Sequence, residues 1–106
     1  MSEVESPEVA ATPKSCREMF IALGKNYNPT LTSEQQATCA RIGHIMTDHP
    51  FVGMMIQHAI LIRYQRATGK DALAGAVDWK SVLQWLVENM PKMIELLLSL
   101  LAMFGV

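Results

Sequence analysis

Residues 79–104, which read WKSVLQWLVENMPKMIELLLSLLAMF, decide the fold of this chain. Apolar side chains at heptad spacing form one seam along this segment: Trp79, Leu83, Leu86, Met90, Met93, Leu97, Leu100 and Phe104. The positions flanking the seam are mostly apolar as well, so the predicted buried face is wider than that of a dimeric coiled coil. The segment therefore predicts a long apolar helix that packs against several neighbours.

Pro91 interrupts this segment at a position off the seam. A proline inside a helix has no N–H for the carbonyl one turn earlier, and its ring crowds that turn. Two alternatives follow: one kinked helix, or two helices over residues 79–89 and 91–104. The heptad phase continues across the proline, and this favours the kinked, continuous helix.

Two shorter helices are predicted early in the chain. The first covers residues 13–23, with Thr12 as its amino-terminal cap. The second covers residues 33–46, because Thr32 and Gln35 have the spacing of a capping box. Each helix carries one apolar stripe at a spacing of three and four residues, which is typical of packing against a common core.

A third helix is predicted over residues 50–66, and its first half is apolar nearly all round, as expected for the central helix of a bundle. The chain thus divides into an amino-terminal arm (1–11), a three-helix region (12–78) and a carboxyl-terminal association helix (79–106). The predicted fold is an all-α bundle of four helices, or of five if the last one is broken at Pro91.

The amino-terminal arm is acidic and contains Glu3, Glu5 and Glu8 without a basic residue. Few of its side chains are large and apolar, so it is expected to be flexible. The arm also lacks the apolar core of a signal peptide, which predicts synthesis in the cytoplasm. The net charge of the whole chain is -1, and this argues against binding to nucleic acid.

The residues that most often carry chemistry are Cys16, Cys39, His44, His49 and His58. A spacing of five residues separates Cys39, His44 and His49, and this spacing does not place side chains on one face of a helix. We therefore predict no metal, no cofactor and no catalytic residue. Both thiols are expected to be free, although a disulfide between them stays open if the first two helices pack face to face.

A small basic patch contains Arg63, Arg66 and Lys70, with Tyr64 among them. The patch suits an anionic lipid head group or an acidic partner, and a solvated helix end is the simpler interpretation. Trp85 lies off the apolar seam, which makes it a candidate for an exposed contact residue.

Passage of the last segment through a membrane is disfavoured. Residues 91–106 would form about 24 Å of helix, whereas a bilayer core is about 30 Å thick. A longer segment would include Glu88, Lys92 and Glu95, and each charge costs roughly 2.5–3.5 kcal/mol near the bilayer centre. Contact with a membrane surface is favoured over a simple span.

The excess of apolar surface indicates association rather than chemistry. Leu98 supports this interpretation, because it faces away from the seam. The leading hypothesis is a non-enzymatic structural or assembly subunit of a homo-oligomer or a large complex, a minor virion component being one such case. The alternative is a membrane-interface protein of the lysis or pore-forming type. The residues predicted to make the contact are Trp79, Leu83, Trp85, Leu86, Met90, Met93, Leu97, Leu98, Leu100 and Phe104.

Overall fold

The computed structural model describes residues 13–25, 30–71 and 77–105, and every regular element in these ranges is an α-helix. The described helices are α1 (Cys16–Leu23), α2 (Ser33–Asp48), α3 (Pro50–Thr68), α4 (Trp79–Glu88) and α5 (Met90–Phe104). The predicted all-α bundle is confirmed over these ranges, where the last segment forms two helices and five helices are described. The predicted flexible arm over residues 1–11 and the predicted cap at Thr12 lie outside the described residues.

Helix α1 begins at Cys16, so the predicted start at residue 13 was too early. Ser15 caps the helix, because its Oγ accepts a hydrogen bond from the backbone N–H of Glu18 at 3.1 Å. The Glu18 carboxylate in turn accepts the backbone N–H of Lys14 at 2.9 Å. These two bonds resemble a capping box whose return bond is displaced by one residue, and they fix where the chain enters the helix.

The chain approaches α2 closely at Gly24, the residue that follows α1, where it meets Ala40. A Cβ atom added to Gly24 would lie 2.6 Å from the Cα atom of Ala40 and 2.7 Å from its Cβ atom. The φ angle of Gly24 is -75°, which any residue can adopt. Glycine is therefore required here by the space between the two helices, and the backbone conformation does not demand it.

The predicted capping box at the start of α2 is confirmed. The Thr32 Oγ1 atom accepts the backbone N–H of Gln35, the Gln35 side chain accepts the backbone N–H of Thr32, and both distances are 3.0 Å. The helix continues to Asp48, two residues beyond the predicted end. His49 alone separates it from α3, which starts at Pro50.

Helices α4 and α5 are separate, so the preference for one continuous kinked helix was wrong. They meet at Asn89, whose backbone N–H and side-chain Nδ2 both donate to the carbonyl of Trp85, at 3.0 and 2.8 Å. The carbonyl of Asn89 accepts the N–H of Met93 at 3.0 Å and so starts the next helix. Pro91 lies in the first turn of α5, where its missing N–H has no helical partner to lose.

The apolar seam lines the core, but it does not keep heptad spacing to the end. Leu97 is buried and is followed in the core by Leu101, while Leu100 and Phe104 are only partly buried. A straight helix has 3.6 residues per turn, so a seam spaced at 3.5 drifts around it. The buried residues of the last two helices are Trp79, Val82, Leu83, Leu86, Met90, Met93, Leu97 and Leu101.

Helix α3 is not surrounded by the other helices, so its predicted central position was wrong. Its inner face packs into the core through Gly53, Ile56, Ile60, Leu61 and Tyr64. The opposite face of its first turns remains open to solvent although it is apolar. A helix that is apolar on all sides does not reveal from its sequence which side packs against other helices.

Helix α5 starts at the end of the bundle opposite the turn between α2 and α3. At that end, Gln35 from the first turn of α2 and Met90 from α5 line one cleft. Arg66 from the last turn of α3 and Lys92 from α5 line another cleft. This arrangement brings the last turn of α3, the joint at Asn89 and the first turn of α5 into one region of the surface.

Candidate interaction surfaces

The first two turns of α3 carry a strip of exposed apolar side chains. Phe51, Met54 and Met55 are 71%, 69% and 43% exposed, and their spacing of three and four residues makes them neighbours on the helix. We call these three residues the outer α3 patch. Clustered large apolar side chains on the surface of a soluble monomer mark sites of association with protein or membrane.

Helix α5 carries further exposed apolar residues. Met103 is 74% exposed and Leu98 is 43% exposed. Leu98 therefore lies where its helical position predicts, away from the buried seam. None of the described helices combines the length and the apolar character needed to cross a bilayer.

The residues predicted to contact a partner fall into two groups. Leu98 is exposed, and Trp85, Leu100 and Phe104 are partly buried, so these four are accessible at the surface. The other six fill the core of the monomer: Trp79, Leu83, Leu86, Met90, Met93 and Leu97. A contact of these ten residues with a partner stays a prediction, and in this structure the six are not available to one.

The outer α3 patch was missed by the sequence analysis, although a signal for it exists. Residues 51–56 read FVGMMI, so apolar side chains point to both sides of the helix. The helices preceding α3 are short and amphipathic, and the last segment already needs cover for its own wide face. The apolar sides of α3 and of the last segment together exceed the apolar surface that the two earlier helices can cover. One side of α3 is therefore expected to stay exposed.

A cleft of about 350 Å³ lies between the end of α3 and the joint of α4 with α5. Three cationic side chains line it, and none of them has a salt bridge to the part of the chain that the structure describes. We call it the cationic cleft, lined by Arg63, Arg66, Ala67, Trp85, Asn89, Lys92, Met93 and Leu96. Lys70, which belongs to the predicted basic patch, is not among the lining residues, and Lys92 takes its place.

The indole of Trp85 is held in position at this cleft. The buried ring of Tyr64 meets it edge to face, with ring centroids 5.6 Å apart and an interplanar angle of 81°. Such pairs contribute about 0.5–1.5 kcal/mol beyond the burial of their area. Trp85 thus presents a fixed, partly exposed aromatic surface beside Arg63 and Lys92.

Both thiols are buried, and each is unpaired. Burial raises the pKa of Cys16 and of Cys39 to about 12, so neither is a thiolate near neutral pH. The Nε2 atom of His44 lies 2.9 Å from a carboxylate oxygen of Asp48, one turn further along the exposed side of α2. Over the described residues, no three His, Cys, Asp or Glu side chains are grouped as metal ligands.

Comparison with protein-family models, with curated proteins and with solved structures gives no match to this chain. Its function is therefore inferred from the chemistry of its own surfaces. Two of them stand out, the outer α3 patch and the cationic cleft, and they lie at opposite ends of α3.

Proposed function

We propose that this chain is a non-enzymatic structural subunit that associates with further copies of itself, alone or within a larger assembly. The observation that carries the proposal is the exposure of the outer α3 patch, with Leu98 and Met103 of α5 as further apolar surface. Polar or charged residues at these positions would suit a monomer better.

The magnitude of the apolar contribution supports association. Full burial of one large apolar side chain contributes about 1.5–3 kcal/mol, and these five are between 43% and 74% exposed, so covering the part that is still in water is worth roughly 5–9 kcal/mol. The loss of translational and rotational freedom on association costs roughly 4–15 kcal/mol. The two quantities are of the same order, so the exposed residues can decide whether the chain associates.

Sedimentation equilibrium of the purified chain without detergent tests the proposal. We expect the wild type to form oligomers whose population rises with concentration. The variant Phe51→Gln/Met54→Gln/Met55→Gln should shift the distribution to the monomer, because it makes the outer α3 patch polar. The control Ala37→Gln changes an exposed residue of α2 and should leave the distribution unchanged. A wild type that stays monomeric at its highest soluble concentration would overturn the proposal.

Contact with a membrane surface is the second candidate, and the observation that favours it is the exposure of Leu98 and Met103 on α5. These two side chains are five residues apart and do not share one face of the helix, so each would enter the interface of a bilayer as a separate apolar contact. Flotation of the chain with phosphatidylcholine vesicles separates the two candidates. Flotation that is lost in Leu98→Gln/Met103→Gln favours the membrane, and absence of flotation removes this candidate.

A further inference from the structure

We propose that the cationic cleft is a binding site for a phosphate ester. The phosphate would be held by Arg63, Arg66 and Lys92, and the apolar group of the ester would lie against Trp85. The proposal is independent of self-association through the outer α3 patch, because it concerns a different surface.

The charge of the cleft is the first argument. Arg63, Arg66 and Lys92 come from two helices that are separated in sequence, and all three side chains line one cavity. No acidic side chain lines it, and none of the three cations is paired with an acidic group in the part of the chain that the structure describes. Their positive charges are therefore available to an anion from outside.

The identity of the anion follows from the number and type of these groups. A carboxylate carries one negative charge, whereas a phosphate monoester carries about 1.5–2 at neutral pH, together with three acceptor oxygens. Arginine matches phosphate with two parallel N–H donors, and lysine adds a compact charge. Two arginines and one lysine therefore match a phosphate better than a single carboxylate.

The backbone at the start of α5 does not compete for this role. The N–H groups of Lys92 and Met93 donate to the carbonyl of Asn89 at 3.1 and 3.0 Å, and Pro91 has no N–H. The amide Nδ2 of Asn89 is likewise occupied, by the carbonyl of Trp85. Recognition of the anion would therefore come from the cationic side chains.

Apart from Asn89, the remaining wall of the cleft is apolar and suits the organic part of an ester. Met93 is buried, Leu96 is partly buried, and the indole of Trp85 is held by Tyr64. The volume of about 350 Å³ lies at the lower end of the range of roughly 300–1,000 Å³ for small-molecule sites. A small aryl or alkyl phosphate monoester is therefore of suitable size, with one charged end and one apolar end.

The location of the cleft bears on the source of the phosphate. Phe51 and Arg66 belong to the first and last turns of α3, which places them about 22 Å apart along the helix. Self-association through the outer α3 patch would therefore leave the cleft open at the other end. A soluble ester could reach the cleft in the associated subunit, and a lipid head group shares the same phosphate chemistry.

Titration with phenyl phosphate, followed by calorimetry and by tryptophan fluorescence, tests the proposal. We expect saturable binding that is at least tenfold weaker in Arg63→Gln/Arg66→Gln/Lys92→Gln. The control Lys14→Gln/Arg17→Gln/Lys80→Gln removes the same number of charges from exposed positions outside the cleft, and it should change the affinity less than twofold. Trp85→Ala should weaken phenyl phosphate more than inorganic phosphate, because only the former has an apolar group.

Two further probes distinguish the occupants. The first probe is a phosphatidylcholine vesicle that contains phosphatidic acid. If the wild type binds these vesicles but not phenyl phosphate, and if the triple variant of Arg63, Arg66 and Lys92 (the cleft variant) does not bind them, the site is supported with a lipid as the source of the phosphate. The proposal is overturned if the chain binds neither phenyl phosphate nor phosphatidic acid, or if the cleft variant and the control variant weaken binding equally. It is also overturned if only a peptide of residues 1–12 binds, since the cleft would then recognise the acidic segment of the chain itself.

Discussion

Gly24 is a position where one atom decides how two helices pack. Gly24→Ala places a Cβ atom within 3 Å of the backbone of Ala40, and this backbone cannot move without shifting α2. We expect the variant to lose about 2 kcal/mol of unfolding free energy, as other overpacked sites do. Urea unfolding measures the loss, and a change below about 0.5 kcal/mol, as at ordinary surface sites, would contradict this close approach.

The control for this prediction is Gly69→Ala. Gly69 has a φ angle of 77° at the end of α3, and an added Cβ atom would meet nothing within 4 Å. Its substitution should therefore cost only the left-handed strain, about 1–2 kcal/mol, and this loss should not change when Ala40 is also replaced by glycine. The variant Ala40→Gly, combined with Gly24→Ala, should restore part of the lost stability, because it removes the contact with the Ala40 side chain and leaves the contact with its Cα atom.

Because two thiols are buried, the free energy of unfolding should fall at alkaline pH. Their pKa rises from 9.0 to about 12 on folding, so the unfolded chain releases these protons at a lower pH than the folded chain. Stability from this source is complete well below pH 9 and is lost as the pH rises from 9 toward 12. Each thiol then lowers the unfolding free energy by about 1.4 kcal/mol per pH unit.

Urea unfolding between neutral pH and pH 11 measures this effect. The variant Cys16→Ala/Cys39→Ala starts from a lower stability because it leaves small cavities, but its stability should decline less steeply above pH 9. Equal slopes for the variant and the wild type would show that the thiols titrate normally in the folded chain.

At the scale of helices, the joint at Asn89 predicts how Pro91 tolerates substitution. In the first turn of α5 the missing N–H of Pro91 costs nothing, so Pro91→Ala should change the unfolding free energy by less than about 1 kcal/mol. A proline inside one continuous helix would cost about 3 kcal/mol, and its removal would stabilise the chain by that amount. Chemical unfolding distinguishes the two cases. Pro50→Ala is the matched control, because Pro50 opens α3 in the same way.

The sequence predicts helices well where a local pattern specifies them. Thr32 and Gln35 form the capping box that their spacing indicates, and Pro50 opens a helix as expected. The joint at Asn89 was harder to predict, because the apolar phase before and after Pro91 is nearly the same. The side-chain amide of Asn89 only adds a second hydrogen bond to the Trp85 carbonyl, which already accepts the helical N–H of Asn89. The break fits Pro91 instead, which has no N–H for the carbonyl of Val87 one turn earlier.

At the scale of the whole molecule, hydrophobic pattern predicted the fold class and most of the core, but it did not predict which apolar surface stays uncovered. Leu97 and Met54 are both large and apolar in helical segments, yet Leu97 is buried and Met54 is 69% exposed. The difference depends on how the described helices pack together, which no local window of sequence contains. The cationic cleft has the same origin, because Lys92 joins Arg63 and Arg66 only through the packing of α3 with α5.

This arrangement predicts opposite responses to substitution at these two positions. Leu97→Ala should cost about 2–5 kcal/mol of unfolding free energy, because it opens a cavity in the core. Met54→Gln should change the stability of the dilute monomer by less than about 0.5 kcal/mol, because the side chain is already in water. Thermal or urea unfolding at low protein concentration measures both. A large loss in Met54→Gln under these conditions would mean that the outer α3 patch is covered within the monomer.

The close approach of Gly24 to Ala40 also constrains how this sequence can diverge. Any homologous chain that keeps the packing of α1 on α2 needs glycine at the first position and a small residue at the second. A larger residue at the first position would require the two helix axes to move apart, and the core contacts of Phe20 and Cys39 would have to change with them. Among distant relatives, this pair of small residues would therefore be a more durable signature than the apolar residues around it, which can exchange for one another at similar volume.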